Sequence, residues 1–404
     1  MERRDGVPDA DPSGPRAPRV LFATTVSKTL RAFLLPLAQH LREKGWRVDG
    51  LAHDVTSCDR CQSTFDHVWE IEWSRNPLSP RNLLLTPRLL RGLVIAEDFD
   101  LVHVHTPVAG FITRLTLRRL RGQRGLLVVY TAHGFHFHRE GSPLLNRVFI
   151  ALEKLAGRWT DRLVVINRED RDAARKHGIV PVERLCYMPG IGVDLAHYSP
   201  SNVTDLEVAQ VRDGIGLPPG APAFVVIAAF TEGKRHADVV RAFAALNHPD
   251  AHLVLVGSGK LEGQTRRLAD QLTVGARVHL LGVRRDVPVL LRASVASILV
   301  SSREGLPRVV MESLALGTPV IGTRIRGTEE LLRGECGLLL PVGDIEALTI
   351  AMRWVLDNPE EAREMGRRGR LHMNDYDLGR VIAAHDRLYA ELLESRDAKA
   401  GLSP

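Results

Sequence analysis

The sequence predicts an α/β protein of two Rossmann-like, doubly wound domains, each a parallel sheet covered by helices. Three observations predict it. Apolar strand-like runs alternate with amphipathic helical runs along most of the chain. The alternation breaks once, over residues 188–200, where Pro189, Gly190, Gly192 and Pro200 cluster, and then restarts. At 404 residues the chain exceeds one ordinary hydrophobic core.

The first series opens with a strand over 18–23, followed by helical apolar spacing over 30–44 that stops at Gly45. Further strands are expected at 46–52, 100–105, 125–131 and 163–167. The second series has strands at 223–229, 252–256, 278–281, 295–300, 319–321 and 337–340. Helices are expected between them at 235–246, 261–272, 287–292 and 307–316. A last helical stretch over 378–395 either caps the second domain or crosses back to the first. The expected organisation is a leader at 1–17, domains at 18–195 and 196–375, and a helix with a tail at 376–404.

Composition narrows the class. Hydrophobic content of 44% and charged content of 25% are those of a soluble globular protein. No apolar run approaches the roughly 18 residues of a membrane span. The first residues are polar and Pro-rich without an apolar stretch, so a disordered leader and a cytoplasmic location are expected. The net charge of +6 allows anionic partners, but no basic–aromatic module of known spacing points to nucleic acid. Four cysteines are too few for a disulfide scaffold. Cys58 and Cys61 form a lone CxxC in a loop-like stretch, without the second pair a structural zinc site needs.

In open α/β sheets ligands bind beyond the carboxyl ends of the strands, so those loops carry the candidates. Glu304 follows the 295–300 strand, and Pro307 suits the first turn of the next helix. The free N–H groups around Gly305 to Val309 would face an anion. Glu304 and Glu312 accept hydrogen bonds when ionised and suit sugar or ribose hydroxyls. Phosphate beside free donors and a polyol beside carboxylates describe a nucleotide sugar. Lys234 and Arg235 stand after the 223–229 strand, well placed for a diphosphate. Gly257-Ser258-Gly259 follows another strand, but the next glycine is Gly263, so the spacing is not that of a dinucleotide fingerprint. His133, His136 and His138 follow the 125–131 strand. No carboxylate or cysteine joins them at ligand spacing, so no metal is expected, and His133 is the best candidate to face a ligand. His103 and His105 flank another strand end.

Taken together, these residues resemble family 4 glycosyltransferases, retaining enzymes of the GT-B fold. The most specific piece is EGLPRVVME followed by SLALGTPVIGT, similar to that family's E-x7-E motif; HVHTPVAG, TAHGFHF, GVRRDVPVLL and PGIGVD add to it. SRNPLSPRNLL looks like the subgroup that builds exopolysaccharide or capsule repeat units on a lipid carrier. The resemblance implies a GT-B pair of domains facing across a cleft, the first binding acceptor and the second binding donor. It implies that Glu304 and His133 contact the donor sugar, that Glu312 holds the ribose, and that Lys234 neutralises the diphosphate. Arg235, Gly257, Val283, Gly305, Leu306, Pro307 and Val309 complete the donor side. Lys28, Arg31 and His105 would meet the acceptor. A nucleotide sugar, UDP-linked, is then a co-substrate, and no metal or other cofactor is required. Two departures stand out: Ala229 holds a position that is Arg in many members, and Thr24-Thr25-Val26-Ser27-Lys28 replaces a glycine pair. The arginine-rich stretches, with Arg114, Arg118, Arg119, Arg121 and Arg124 in one of them, suggest an anionic membrane surface as a partner, on the inner face of the plasma membrane. A nucleotide-sugar epimerase and a catalytically silent binding subunit are the alternatives.

Overall fold

The computed structural model describes residues 16–73, 79–138, 141–399 and 401. Most of the expected leader and part of SRNPLSPRNLL lie outside the described residues. The chain divides into two compact units: residues 1–130 with 158–161 and 389–404, and residues 131–157 with 162–388.

Among the described residues, thirteen strands form two sheets. The first sheet comprises β1 (Arg19–Val26), β2 (Arg47–His53), β3 (Val68–Glu70), β4 (Leu101–His105), β5 (Leu127–Ala132), β6 (Arg162–Val165) and β7 (Leu185–Tyr187), in the order β3-β2-β1-β4-β5-β6-β7. The second comprises β8 (Ala223–Ile227), β9 (His252–Val256), β10 (Val278–Leu280), β11 (Ala296–Leu299), β12 (Val320–Thr323) and β13 (Gly337–Leu340), in the order β10-β9-β8-β11-β12-β13. Pairing within the second sheet is parallel throughout, as in β8 with β9 and with β11.

Both strand orders reverse next to the first strand of the series, and the carboxyl ends of β8 and β11 lie side by side at the second reversal. That is the place where doubly wound sheets open a crevice for ligands. Alternating side chains of β8 explain why this sheet is covered on both faces. Phe224 and Val226 join a core with Phe243, Leu253 and Leu255, whereas Ala223 and Val225 pack with Leu290 and Leu291. Near-continuous apolar strands are what a sheet buried on both faces demands.

Some expectations are corrected. The single helix over 30–44 is two, Ser27–Phe33 and Leu35–Glu43, broken at Leu34. Pro36 has no N–H to continue the first helix, and suits the first turn of a new one. The three-residue strands β3 and β7 at the ends of the first sheet are too short to leave a periodic signal. Cys58 does not sit in a loop: it occupies the N-cap position of the Asp59–Thr64 helix, and its sulfur lies 2.6 Å from that of buried Cys61. Burial first, then Cys58, pushes the Cys61 thiol up to about 12.

Candidate active site

The site in the larger unit is built by four loops that leave strands at their carboxyl ends. Beyond β8 the chain makes a turn over Glu232–Lys234. Beyond β11 it passes through Ser302 and Arg303 to Glu304. The Ser302 amide donates to the Gly233 carbonyl at 2.8 Å, so the two loops are joined backbone to backbone. That pairing places Lys234 Nζ on Glu304 Oε1 in an ion pair, with the carboxylate the more buried partner.

Gly305 comes next. A Cβ there would lie 2.1 Å from the His133 carbonyl oxygen, and a Cβ at Gly327 would lie 2.1 Å from the Gly305 oxygen. The loops after β5, β11 and β12 therefore touch through their backbones, which only glycine permits. Pro307 is the N-cap of the Arg308–Ala315 helix, one position earlier than the sequence suggests. The Val309 and Val310 amides open that helix and have no acceptor within it. Glu312, buried one turn further, accepts from Arg308 at 3.0 Å. Burial, then Glu312, pushes the Tyr198 hydroxyl above its ordinary range, so Tyr198 sits against the same carboxylate. Leu306 is buried, and lies so near Gly190 that a Cβ at 190 would be 2.6 Å from its Cδ2.

His133 stands at the end of β5 beside Gly134. Burial, with the charge on His385 adding to it, pulls its pKa down to about 4, so the imidazole is neutral at pH 7. His385, on the Leu378–Lys399 helix, is lowered to about 4 by burial as well.

Asp170 and Arg326 join these loops from within, and neither was singled out from sequence. Arg326 Nη1 donates to Asp170 Oδ1 at 2.8 Å, with the two side chains 6% and 1% exposed. Arg326 also donates to the Phe135 carbonyl at 3.1 Å. Asn167 caps the Arg168–His177 helix by accepting from the Asp170 amide at 2.7 Å. Its side-chain amide donates to the Gly305 carbonyl at 3.3 Å and to Asp170 at 2.8 Å. Burial outweighs the Arg326 cation and holds Asp170 above the usual carboxylate range. Buried Glu330 accepts from the Arg168 amide at 2.6 Å and from the Tyr187 hydroxyl at 2.6 Å. The only signal for these residues in sequence is their position just after β6 and β12.

Other candidates have other neighbours. Arg235 adopts a left-handed φ of 54° and turns its guanidinium to Asp238 at 2.6 Å. Gly257 donates to the Gly282 carbonyl at 2.7 Å, and neighbouring Val283 is exposed. In the smaller unit, Lys28 and Arg31 lie on the Ser27–Phe33 helix, and His105 is buried at the end of β4. His103 Nδ1 lies 2.5 Å from the Tyr389 hydroxyl. Two of the arginines read as a surface are corrected: Arg114 is buried 3.9 Å over the Tyr130 ring, and Arg121 is paired with Asp161 at 2.6 Å. On the same helix, Pro107–Arg124, the residues Arg118, Arg119 and Arg124 remain exposed. Among the described residues, His53, Asp54 and Glu70 form a cluster with metal-ligand spacing. Glu70 there accepts the Asp54 and Val55 amides at 2.7 and 3.0 Å, which caps a turn.

The sequence matches two family profiles, "Glycosyltransferase Family 4" over residues 32–196 and "Glycosyl transferases group 1" over residues 208–372. It is 32% identical to a putative glycosyltransferase, EpsD, of Bacillus subtilis, over 93% of this chain and 97% of that protein. The chain belongs to glycosyltransferase family 4. It is a glycosyltransferase of the GT-B fold, with its E-x7-E carboxylates at Glu304 and Glu312. It is also 30% identical, over 67% of its length and 69% of the other's, to an Escherichia coli UDP-Gal:alpha-D-GlcNAc-diphosphoundecaprenol alpha-1,3-galactosyltransferase. Among solved structures, Anabaena Alr3699/HepE in complex with UDP-glucose superposes with a TM-score of 0.74 at 18% identity, over 93% of this chain and 99% of that one. Sucrose-phosphate synthase of Thermosynechococcus elongatus gives 0.76 at 21% identity, over 94% and 100%.

Proposed function

We propose that this glycosyltransferase moves a hexose from a UDP-sugar to a glycan or lipid-linked acceptor in surface polysaccharide or glycolipid synthesis, with retention of anomeric configuration. The observation that carries the reading is the Lys234–Glu304 pair beside the opening of the Arg308–Ala315 helix. A cation and free amides suit a diphosphate, and the carboxylates of Glu304 and Glu312 suit sugar and ribose hydroxyls. The full-length likeness to EpsD and the UDP-sugar named for the E. coli relative support the donor class.

In this reading the acceptor oxygen bonds to the anomeric carbon on the face that the diphosphate leaves. The bond from that carbon to the phosphate oxygen breaks, its electron pair stays on the diphosphate, and a diphosphate oxygen takes the acceptor's proton. No protein base is needed. Lys234 exchanges Glu304 for the diphosphate as charge grows there, and the amides beyond Pro307 add fixed dipoles. Neutral His133 donates a hydrogen bond to a sugar hydroxyl. No metal is required.

A thermal-shift titration with UDP, GDP, ADP and NAD, in the presence of a chelator, tests the reading. Stabilisation by UDP is expected, about 2.7 kcal/mol at a hundred times the dissociation constant. GDP or ADP alone would change the donor, and NAD alone would overturn the reading.

A further inference from the structure

The Pro143–Gly157 helix departs from the helices that cover these sheets. A covering helix buries an apolar stripe; here only Ala156 and Gly157 are buried. Leu144, Leu145, Val148, Leu152 and Leu155 are all exposed, from 70% at Leu144 to 39% at Leu155. Leu144, Val148, Leu152 and Leu155 recur at helical spacing, so they form one stripe along a helix about 22 Å long. Arg147 and Lys154 are exposed on the same helix, whose one acidic residue, Glu153, is half-buried. The opposite side is anchored. The Phe149 ring lies 5.4 Å from that of His136, and Asn146 donates to the His138 carbonyl at 2.8 Å. The helix is thereby tied to the segment that carries His133.

We propose that the Pro143–Gly157 helix is a membrane-docking element that lies in the headgroup region of an anionic bilayer. Its leucine stripe enters the acyl boundary, and Arg147 and Lys154 meet lipid phosphates. The inference stands on this helix's own surface, and not on the acceptor reading. An apolar stripe beside cations complements a negatively charged leaflet, and the net charge of +6 acts in the same direction. Five apolar side chains fall well short of the roughly 20–30 residues a side of a stable protein interface. No helix among the described residues is long and apolar enough to cross a membrane, so this helix binds along the surface. Through Asn146 and Phe149 it sets the height of the His133 segment above the lipid.

The test is sedimentation of the full chain with phosphatidylcholine vesicles, with and without phosphatidylglycerol. Binding to the anionic vesicles is expected. Val148→Glu with Leu152→Glu should lower apparent affinity at least about tenfold, and Arg147→Glu with Lys154→Glu should lower it on the anionic vesicles alone. Because these positions are exposed, the melting midpoint should not move. Leu144→Gln with Leu145→Gln gives the same readout if the carboxylate variant does not fold. Failure of the wild type to bind, or undiminished binding by folded variants, overturns the proposal. So does a dimer in light scattering that the variants split, since the stripe would then cover a second copy. The UDP titration is independent of all these outcomes.

Discussion

The Gly305 backbone and the His133 carbonyl approach so closely that a Cβ at 305 would lie 2.1 Å from the oxygen. The contact holds the loop that carries Glu304 against the loop that carries His133. Asn167 and Arg326 then fix both from below.

Gly305→Ala must move one of these two loops. The expected result is a loss of kcat/KM of about a hundredfold, the cost of misplacing groups by an ångström. Steady-state kinetics beside a thermal melt check it.

Removing one member of the buried Asp170–Arg326 pair leaves the other charge without its partner. Arg326→Met should destabilise the protein by about 3–5 kcal/mol. Asp170→Asn should cost less, because burial already disfavours its ionised form. Denaturant midpoints of both single variants and the double variant measure the coupling, and a double variant no worse than Arg326→Met is expected.

The Lys234–Glu304 pair is partly exposed, so it contributes little to folding. In the proposed mechanism its weight falls on catalysis. Lys234→Met should lower kcat by about two to three orders of magnitude, as loss of one transition-state charge contact does. The melting temperature of the unliganded variant should stay near that of the wild type.

His133, His236 and His385 each have a pKa pulled down to about 4, with burial the first cause. His236 is buried, its ring stacked 4.2 Å from that of Phe230. The unfolded chain titrates its histidines near 6.5. Between about 4 and 6.5 the unfolded state binds protons that the folded state does not. Stability is therefore complete above about pH 6.5 and is lost as the pH falls toward 4. Melts across that range should show the decline, and His236→Gln should flatten it. No step in activity from His133 is expected between pH 6 and 8.

Much of this architecture was legible in the sequence. Buried parallel strands announce themselves as apolar runs, and β9 and β13 coincide with the residues expected. Glu304, Lys234 and His133 stand out as candidates in sequence because strand ends are where such sheets place ligands. What stayed hidden depends on distant partners. Nothing near Arg326 shows that its guanidinium reaches Asp170, 156 residues away. The exposed side of the Pro143–Gly157 helix was invisible for the same reason, since apolar spacing alone reads as a covering helix.

The most direct test of the central claim follows a UDP-hexose by proton NMR with the protein and a lipid-extract acceptor. The account predicts release of UDP with an α-linked sugar product, lost in Glu304→Gln. An epimerised UDP-sugar, no release by the wild type, or release undiminished by Glu304→Gln would contradict it.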